Sequence, residues 1–403
     1  AAPIHLVWSL EFGHATLFCR NRTALAQNTA MKLVISGGHP SPAFAIIDTL
    51  RQTHPEIEIV FVGRVVAQHG TGQLAAEQSA AQDRGIPFYP IETAKWGTGI
   101  LEKILAIGSV LVATLKSIHL LRRLKPDVFL SFGSYVAVPL ALASKVLGIP
   151  VITHEQTRVS GVSNRVIARW ADTVAISYPE SAPFFPGSKT VVTGLPLRPQ
   201  LFQDSVTQPD WASPAFLSSE NPILYITGGS TGSSAINELV ARILPDLLTH
   251  WRIVHPCGKP TNKADWQKTL SEVRQTLPQE LQQQYILTES VSVSQLAWLY
   301  RQSVLVFGRA GANTAAEVDA FGLPAIFVPL PLSNYDEQQK NAQALVDEGQ
   351  AQIILQKDLT KEQLLSALAS WRDRVRSSGE AFEHSQMPTA CDTLIALVLQ
   401  TYQ

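Results

Sequence analysis

Cysteine is scarce: three in 403 residues, Cys19, Cys257 and Cys391, odd in number and far apart. No C-x-x-C pair occurs, which on pattern excludes a disulfide scaffold or a zinc ribbon and fits a reducing cytosol. Charge is also sparse and balanced. Lys plus Arg number 32 and Asp plus Glu 33, so no global basic surface is available for nucleic acid. Only 16% of residues are charged, against about 25% in an average chain. With 45% apolar residues, the chain is not a disordered or low-complexity one. H-E-x-x-H, Asp-x-Asp, carboxylate clusters at metal spacing and the G-x-S-x-G elbow are all missing, which argues against a metal hydrolase or a serine hydrolase. No apolar run is long enough to span a bilayer. Ile104–Leu115, broken only by Gly108, Ser109 and Thr114, covers twelve residues where a spanning helix needs ~20.

What remains is a rhythm. Leu33–Ser36, Ile57–Val62, Val128–Ser131, Val151–Thr153, Ile223–Thr227, Val304–Phe307 and Ala325–Val328 read as buried strands. Helical patterns of ten or more residues lie between most of them, the signature of parallel sheets covered on both faces. Residues 195–222 break the pattern with Pro196, Pro199, Pro209, Pro214 and Pro222 among Ser, Gln and Asp, a linker composition. Leu147-Gly148-Ile149-Pro150 and Phe321-Gly322-Leu323-Pro324 echo one another, each a helix-ending Gly followed by Pro and a strand. The expected fold is α/β: two doubly wound Rossmann-like domains facing each other across a cleft. The expected divisions are an extension at 1–30, an N-terminal domain at 31–195, a linker at 196–221 and a C-terminal domain at 222–403, whose last helix packs back. Residues 1–30 lack a period and lack the basic start and clean apolar run of a signal peptide. Met31 opens the first strand, so 1–30 read either as an artefact of upstream translation or as an ordinary flexible extension.

Three glycine-bearing loops each follow a strand and open a helix, where free backbone N–H groups favour an anion. In Gly37-Gly38-His39-Pro40-Ser41-Pro42, Ser41 reads as the helix cap and Pro42 as the first helical residue. His39 is then either a loop histidine or a general base near neutral pH. Gly133-Ser134-Tyr135 is followed after a helix and strand by His154-Glu155-Gln156, polar residues gathered at a strand end. Gly228-Gly229-Ser230-Thr231-Gly232 is neither G-x-G-x-x-G nor a Walker loop, and reads as a phosphate cradle or a plain turn. Thr314 and Glu317 have capping-box spacing, so Glu317 either caps a helix or accepts from a ribose diol. Gln338 and Gln339 stand where amides can hold sugar hydroxyls, or at an exposed helix start.

Taken in order, His154-Glu155-Gln156, Gly161-Val162-Ser163-Asn164, Gly194-Leu195-Pro196-Leu197-Arg198, Gly228–Gly232, Arg309-Ala310-Gly311-Ala312 through Glu317, and Gln338-Gln339-Lys340-Asn341-Ala342 resemble the MurG family from Met31 to about Gln403. These are the bacterial transferases that add N-acetylglucosamine to undecaprenyl-diphospho-muramoyl-pentapeptide in peptidoglycan synthesis. The resemblance implies a GT-B enzyme that inverts the sugar's anomeric centre and uses neither metal nor cofactor. Its partners would be UDP-N-acetylglucosamine, the undecaprenyl-linked muramoyl-pentapeptide and an anionic membrane surface, with no nucleic acid. It would sit peripherally on the cytoplasmic face of the plasma membrane. Carried over by position, Gly229 and Ser230 meet the donor diphosphate and Arg198 helps hold the nucleotide. Val293 offers backbone to uracil. Ala312, Asn313 and Thr314 form the helix start beneath the nucleotide, with Glu317 on the ribose and Gln338 and Gln339 on the sugar. Gly38, Tyr135, Thr157 and Asn164 fall on the acceptor side. His39 is the first choice for the base and Glu155 the second. The family's Gly-Gly-Thr-Gly-Gly-His loop is three residues shorter here, its Asn after His-Glu-Gln is Thr157, and the second glycine of its Gly-Gly-Tyr loop is Ser134. These departures fall on the acceptor side. The alternatives are therefore transfer to another lipid such as diacylglycerol, or sugar-nucleotide binding without turnover. For Ile104–Lys125, with Lys116, His119, Arg122, Arg123 and Lys125, the resemblance turns a core helix with a basic end into a membrane-docking face.

Overall fold

The computed structural model describes residues 30–38, 40–64, 76–92, 100–262, 264–331, 336–378 and 389–402. The expectations for residues 1–29 and for His39 lie outside them. Chain order in the first half is β1 (Lys32–Gly37), α1 (Pro40–Thr53), β2 (Glu58–Gly63), α2 (Ala76–Asp83), β3 (Phe88–Pro90), α3 (Ile100–Leu124), β4 (Val128–Phe132), α4 (Ala137–Leu147), β5 (Val151–Glu155), α5 (Val162–Ile167), β6 (Thr173–Ile176) and β7 (Thr190–Val192). The second half runs α6 (Pro214–Leu217), β8 (Ile223–Thr227), α7 (Ser234–Leu248), β9 (Arg252–Pro256), α8 (Trp266–Gln275), α9 (Gln279–Gln282), β10 (Tyr285–Thr288), α10 (Val293–Gln302), β11 (Ser303–Gly308), α11 (Ala312–Ala320), β12 (Ala325–Phe327), α12 (Glu337–Asp347), β13 (Ala351–Ile353), α13 (Lys361–Ser378) and α14 (Ala390–Tyr402).

The strands form two parallel sheets, one of seven strands in the order β3-β2-β1-β4-β5-β6-β7 and one of six in the order β10-β9-β8-β11-β12-β13. Alternation along each strand feeds two cores. Leu33 and Ile35 of β1 turn to α1 and α14, while Val34 turns to α3 and α4. Leu224 and Ile226 of β8 pack against α7 and α13, and Ile223 and Tyr225 against α10 and α11. The helices match this: α7 buries Ile236, Leu239, Val240, Ile243, Leu244, Leu247 and Leu248, a stripe at 3.6-residue spacing. Leu394, Ile395 and Val398 of α14 enter the first sheet's core, so the end of the chain crosses back to the first half.

All strands stay parallel, but the order in which they are added reverses between β1 and β4 in one sheet and between β8 and β11 in the other. Such switch points open a crevice beyond the strands' carboxyl ends. The loops after β1, β4, β8 and β11 are therefore the ones topology places at crevices. Two local expectations change. Helix α1 starts at Pro40, so Ser41 lies inside its first turn and Pro42 is not the first helical residue. Helix α11 is capped by Gly311 with no side-chain cap, so Thr314 and Glu317 form no capping box; that motif occurs instead at Ser292 and Gln295 of α10. Among the described residues no helix is long and apolar enough to cross a membrane.

Candidate active site

The loop after β8 is drawn tight by its glycines. Thr227 Oγ1 accepts from Gly229 N–H at 3.1 Å, and Gly229 and Gly232 have φ of 78° and 76°. A Cβ on Gly232 would overlap the Cys257 carbonyl oxygen. That carbonyl is itself fixed, accepting from Asn237 Nδ2 at 2.8 Å. Asn237 Oδ1 lies 3.1 Å from His255 Nε2, and His255 Nδ1 lies 2.9 Å from Tyr285 Oη. Burial drives the His255 pKa down to about 3, so the ring is neutral. Since Asn237 Oδ1 can only accept, Nε2 carries the proton and Nδ1 accepts from the tyrosine. A buried, satisfied network thus sets the floor of the glycine loop.

The loop after β11 begins with Arg309, buried and held by Ser233 Oγ (3.1 Å), the Val328 and Pro329 carbonyls (2.9 and 3.1 Å) and Gln356 Oε1 (2.6 Å). Burial lowers its pKa. These bonds tie the starts of α7 and α11 to the end of β12. In the first turn of α11, Asn313 Oδ1 is buried without a hydrogen-bond partner among the described residues.

Deeper in α11, Glu317 is buried, and its two oxygens have different partners. Oε1 accepts from Arg198 Nη2 at 2.6 Å and Oε2 from Tyr300 Oη at 2.9 Å. Burial pushes the Arg198 pKa down, but the charge and hydrogen bond of Glu317, with lesser help from Tyr300 and Tyr225, together outweigh it, so the pKa is raised. Burial, then the same carboxylate, push the Tyr300 phenol well up, so its O–H remains a donor. Arg198 sits in the linker, whose neighbouring Gln200 donates to Asp48 of α1 at 2.8 Å. Asp48 in turn holds Arg84 at 2.7 Å. The linker is thereby fastened to both halves.

Thr227, Gly229, Arg309, Asn313, Glu317, Arg198 and Tyr300 all line one cavity of about 440 Å³. Of the expected donor residues, Arg198, Gly229, Ser230, Ala312, Asn313, Thr314, Glu317 and Gln338 line it; Val293 and Gln339 do not. Val293 is the first residue of α10 and packs toward the core, and Val291 lines the cavity two residues earlier. Gln339 is exposed, while Gln338 Oε1 accepts from Leu330 N–H at 3.0 Å. Ser41, expected only as a cap, and Tyr225, Glu289 and Tyr300, which no motif in the sequence marks, also line the cavity. An aromatic at helical spacing signals core, so nothing local marked Tyr300.

Of the residues expected on the acceptor side, Thr157 and Asn164 gather around Glu155. Glu155, at the end of β5, takes Thr157 N–H (3.1 Å) and Oγ1 (2.9 Å) on Oε1, and Gly161 N–H (2.8 Å) and Asn164 Nδ2 (3.1 Å) on Oε2. Asn164 also accepts from Thr153 Oγ1 at 2.9 Å, and Thr157 Oγ1 also contacts the Val159 carbonyl. All four acceptor positions of the carboxylate are used, which is how a loop clamp is built rather than a waiting base. His154 Nε2 holds the Gly194 carbonyl at 3.1 Å, and burial lowers its pKa to about 4. Gly38 abuts Ser134, so the loops after β1 and β4 touch. Tyr135 lies with its ring 6.0 Å from the Arg64 guanidinium.

Residues 35–176 match the glycosyltransferase family 28 N-terminal domain and residues 223–387 the glycosyltransferase family 28 C-terminal domain. Fold and site together define a GT-B glycosyltransferase of that class. A relative from Acinetobacter baylyi is 32% identical, covering 90% of this chain and 94% of its own; one from Exiguobacterium sp. is 30% identical, covering 93% and 100%. Both are named UDP-N-acetylglucosamine–N-acetylmuramyl-(pentapeptide) pyrophosphoryl-undecaprenol N-acetylglucosamine transferase. The crystal structure of Acinetobacter baumannii MurG superposes with a TM-score of 0.67 at 29% identity, over 92% of this chain and 99% of that one. The chain belongs to the MurG family. UDP-GlcNAc 2-epimerase from Neisseria meningitidis, 14% identical, shares the fold at a TM-score of 0.61 over 92% of this chain and all of its own.

Proposed function

We propose that this chain transfers N-acetylglucosamine from UDP-N-acetylglucosamine to a lipid-linked muramoyl-pentapeptide, inverting the anomeric centre. The observation that carries this reading is the convergence in one ligand-sized cavity of the glycine loop, the start of α11, the Glu317 carboxylate and the Gln338 amide. Backbone N–H groups at the starts of α7 and α11 suit a diphosphate, and the side chains suit hydroxyls. The acceptor hydroxyl oxygen attacks the anomeric carbon. The bond to UDP breaks with its electron pair, and the hydroxyl proton passes to a base. Developing charge on the diphosphate is met by the two helix starts. His39 is the base we favour, worth about 10²–10⁴ in rate. The saturation of Glu155 weighs against the second choice.

The reading is tested with radiolabelled donor offered to the lipid-linked muramoyl acceptor and to diacylglycerol, with His39→Ala as control and the product's anomeric configuration read by NMR. Label confined to diacylglycerol, or donor binding without transfer, would sink it. The acceptor is a membrane lipid, and we assign docking on the cytoplasmic face of the plasma membrane to α3. That helix exposes Leu111, Val112 and Leu115 beside exposed Lys116, Arg122, Arg123 and, just after it, Lys125. The double substitution Arg122→Glu with Arg123→Glu should reduce binding to anionic vesicles, with about 1 kcal/mol lost for each positive charge removed. Unchanged partitioning in a vesicle sedimentation assay would overturn the assignment.

A further inference from the structure

Glu317 is the only carboxylate in the cavity wall whose two oxygens are both held from behind by donors, among the described residues. A carboxylate oxygen has two acceptor positions. Arg198 uses one on Oε1 and Tyr300 one on Oε2, which leaves one on each oxygen, side by side. A carboxylate offers nothing to a phosphate, which is also an acceptor, so the group it takes must be a donor. A pair of adjacent hydroxyls matches two adjacent acceptor positions. The orientation of that pair depends on the partners behind it. The Tyr300 ring is locked by Tyr225, T-shaped at 5.8 Å, and by Phe321 at 5.1 Å, so its hydroxyl is aimed rather than free to wander.

We propose that Tyr300, acting with Arg198, is a positioning residue that fixes the Glu317 carboxylate to read the vicinal diol of the donor's ribose, and so sets selection against deoxynucleotides. This rests on the UDP-sugar reading above. One lost charge-assisted hydrogen bond corresponds to about ten- to hundredfold in affinity.

The test is calorimetric titration of the full chain with UDP, 2′-deoxy-UDP and 3′-deoxy-UDP, using wild type and Tyr300→Phe. The phenylalanine keeps the ring packing and removes only the donor. Wild type should prefer UDP over at least one deoxy analogue by about ten- to hundredfold. In Tyr300→Phe that preference should shrink at least fivefold, because UDP weakens while the deoxy analogue does not. A purely structural tyrosine would weaken all three nucleotides alike and leave the ratio unchanged, which would overturn the proposal while leaving the donor reading intact. Wild type that binds UDP without discrimination would overturn it with no variant needed, so a Tyr300→Phe chain that fails to fold does not shelter it. Wild type that binds no UDP would overturn the donor reading, and this proposal with it.

Discussion

Replacing Glu155 with glutamine separates a loop clamp from a base. The carboxylate faces four donors at 2.8–3.1 Å, two from Thr157 and one each from Gly161 and Asn164. An amide of the same shape offers one oxygen and one NH₂. With the NH₂ toward Gly161 and Asn164, two accepted bonds vanish and donors face donors. With the NH₂ toward Thr157, the hydroxyl can rotate to give its hydrogen to the Val159 carbonyl and accept from the amide, so only the Thr157 N–H is stranded. The second arrangement is cheaper. Its cost is one stranded N–H, about 1–3 kcal/mol, plus the charge assistance lost by the bonds that remain. The expected destabilisation is about 2–4 kcal/mol. At about 2–4 °C per kcal/mol for mid-sized domains, that lowers Tm by about 4–16 °C. A base replaced by its amide would do the reverse, leaving Tm in place and cutting kcat by about 10²–10⁴. Scanning calorimetry and saturated turnover on the same preparation decide it. A wild-type Tm with turnover reduced a hundredfold would refute the clamp.

Gly232→Ala would put a methyl into the Cys257 carbonyl at φ 76°, costing about 2–4 kcal/mol and shifting the glycine loop enough to weaken UDP at least ~tenfold; unchanged stability and affinity would contradict the packing. Ser134 has φ 76° without being glycine, so Ser134→Gly should stabilise by about 0.5–1 kcal/mol in urea unfolding, and a loss would count against strain there. His154 has its pKa lowered by burial from 6.5 to about 4, so it binds a proton in the unfolded chain before the folded one. Stability present above pH ~6.5 should therefore be lost as pH falls toward 4, by about 3 kcal/mol from this residue, His255 adding loss of the same sign. A Tm flat between pH 7 and pH 5 would refute this.

The sequence by itself determined the elements whose cause is local. Apolar runs such as Ile223–Thr227 had to be buried strands, and Gly148 and Gly322, at φ 70° and 61°, had to end helices because other residues resist that backbone. The glycine loops were legible for the same reason, as were their places at strand ends. Strands β3, β6, β7, β9, β10 and β13 were not, because each is five residues or fewer and so short a run carries too little period to stand out. Strands β5 and β12 are as short, but the turn signals Gly148-Ile149-Pro150 and Gly322-Leu323-Pro324 announce them. The partners of the site's side chains were not legible either. Spacing allowed Glu317 to cap its own helix, but Arg198, 119 residues away, and Tyr300 took the carboxylate instead. Glu155 carries the residue type of a base, and only the folding of α5 back over β5 brought Asn164 and Gly161 to saturate it. Val293 and Val291 differ by two residues, and the start of α10 put the latter on the cavity. Backbone preference acts over a few residues and can be read along the chain. A buried charge takes whichever donors packing delivers, so its partners exist only once the two sheets and the linker have come together.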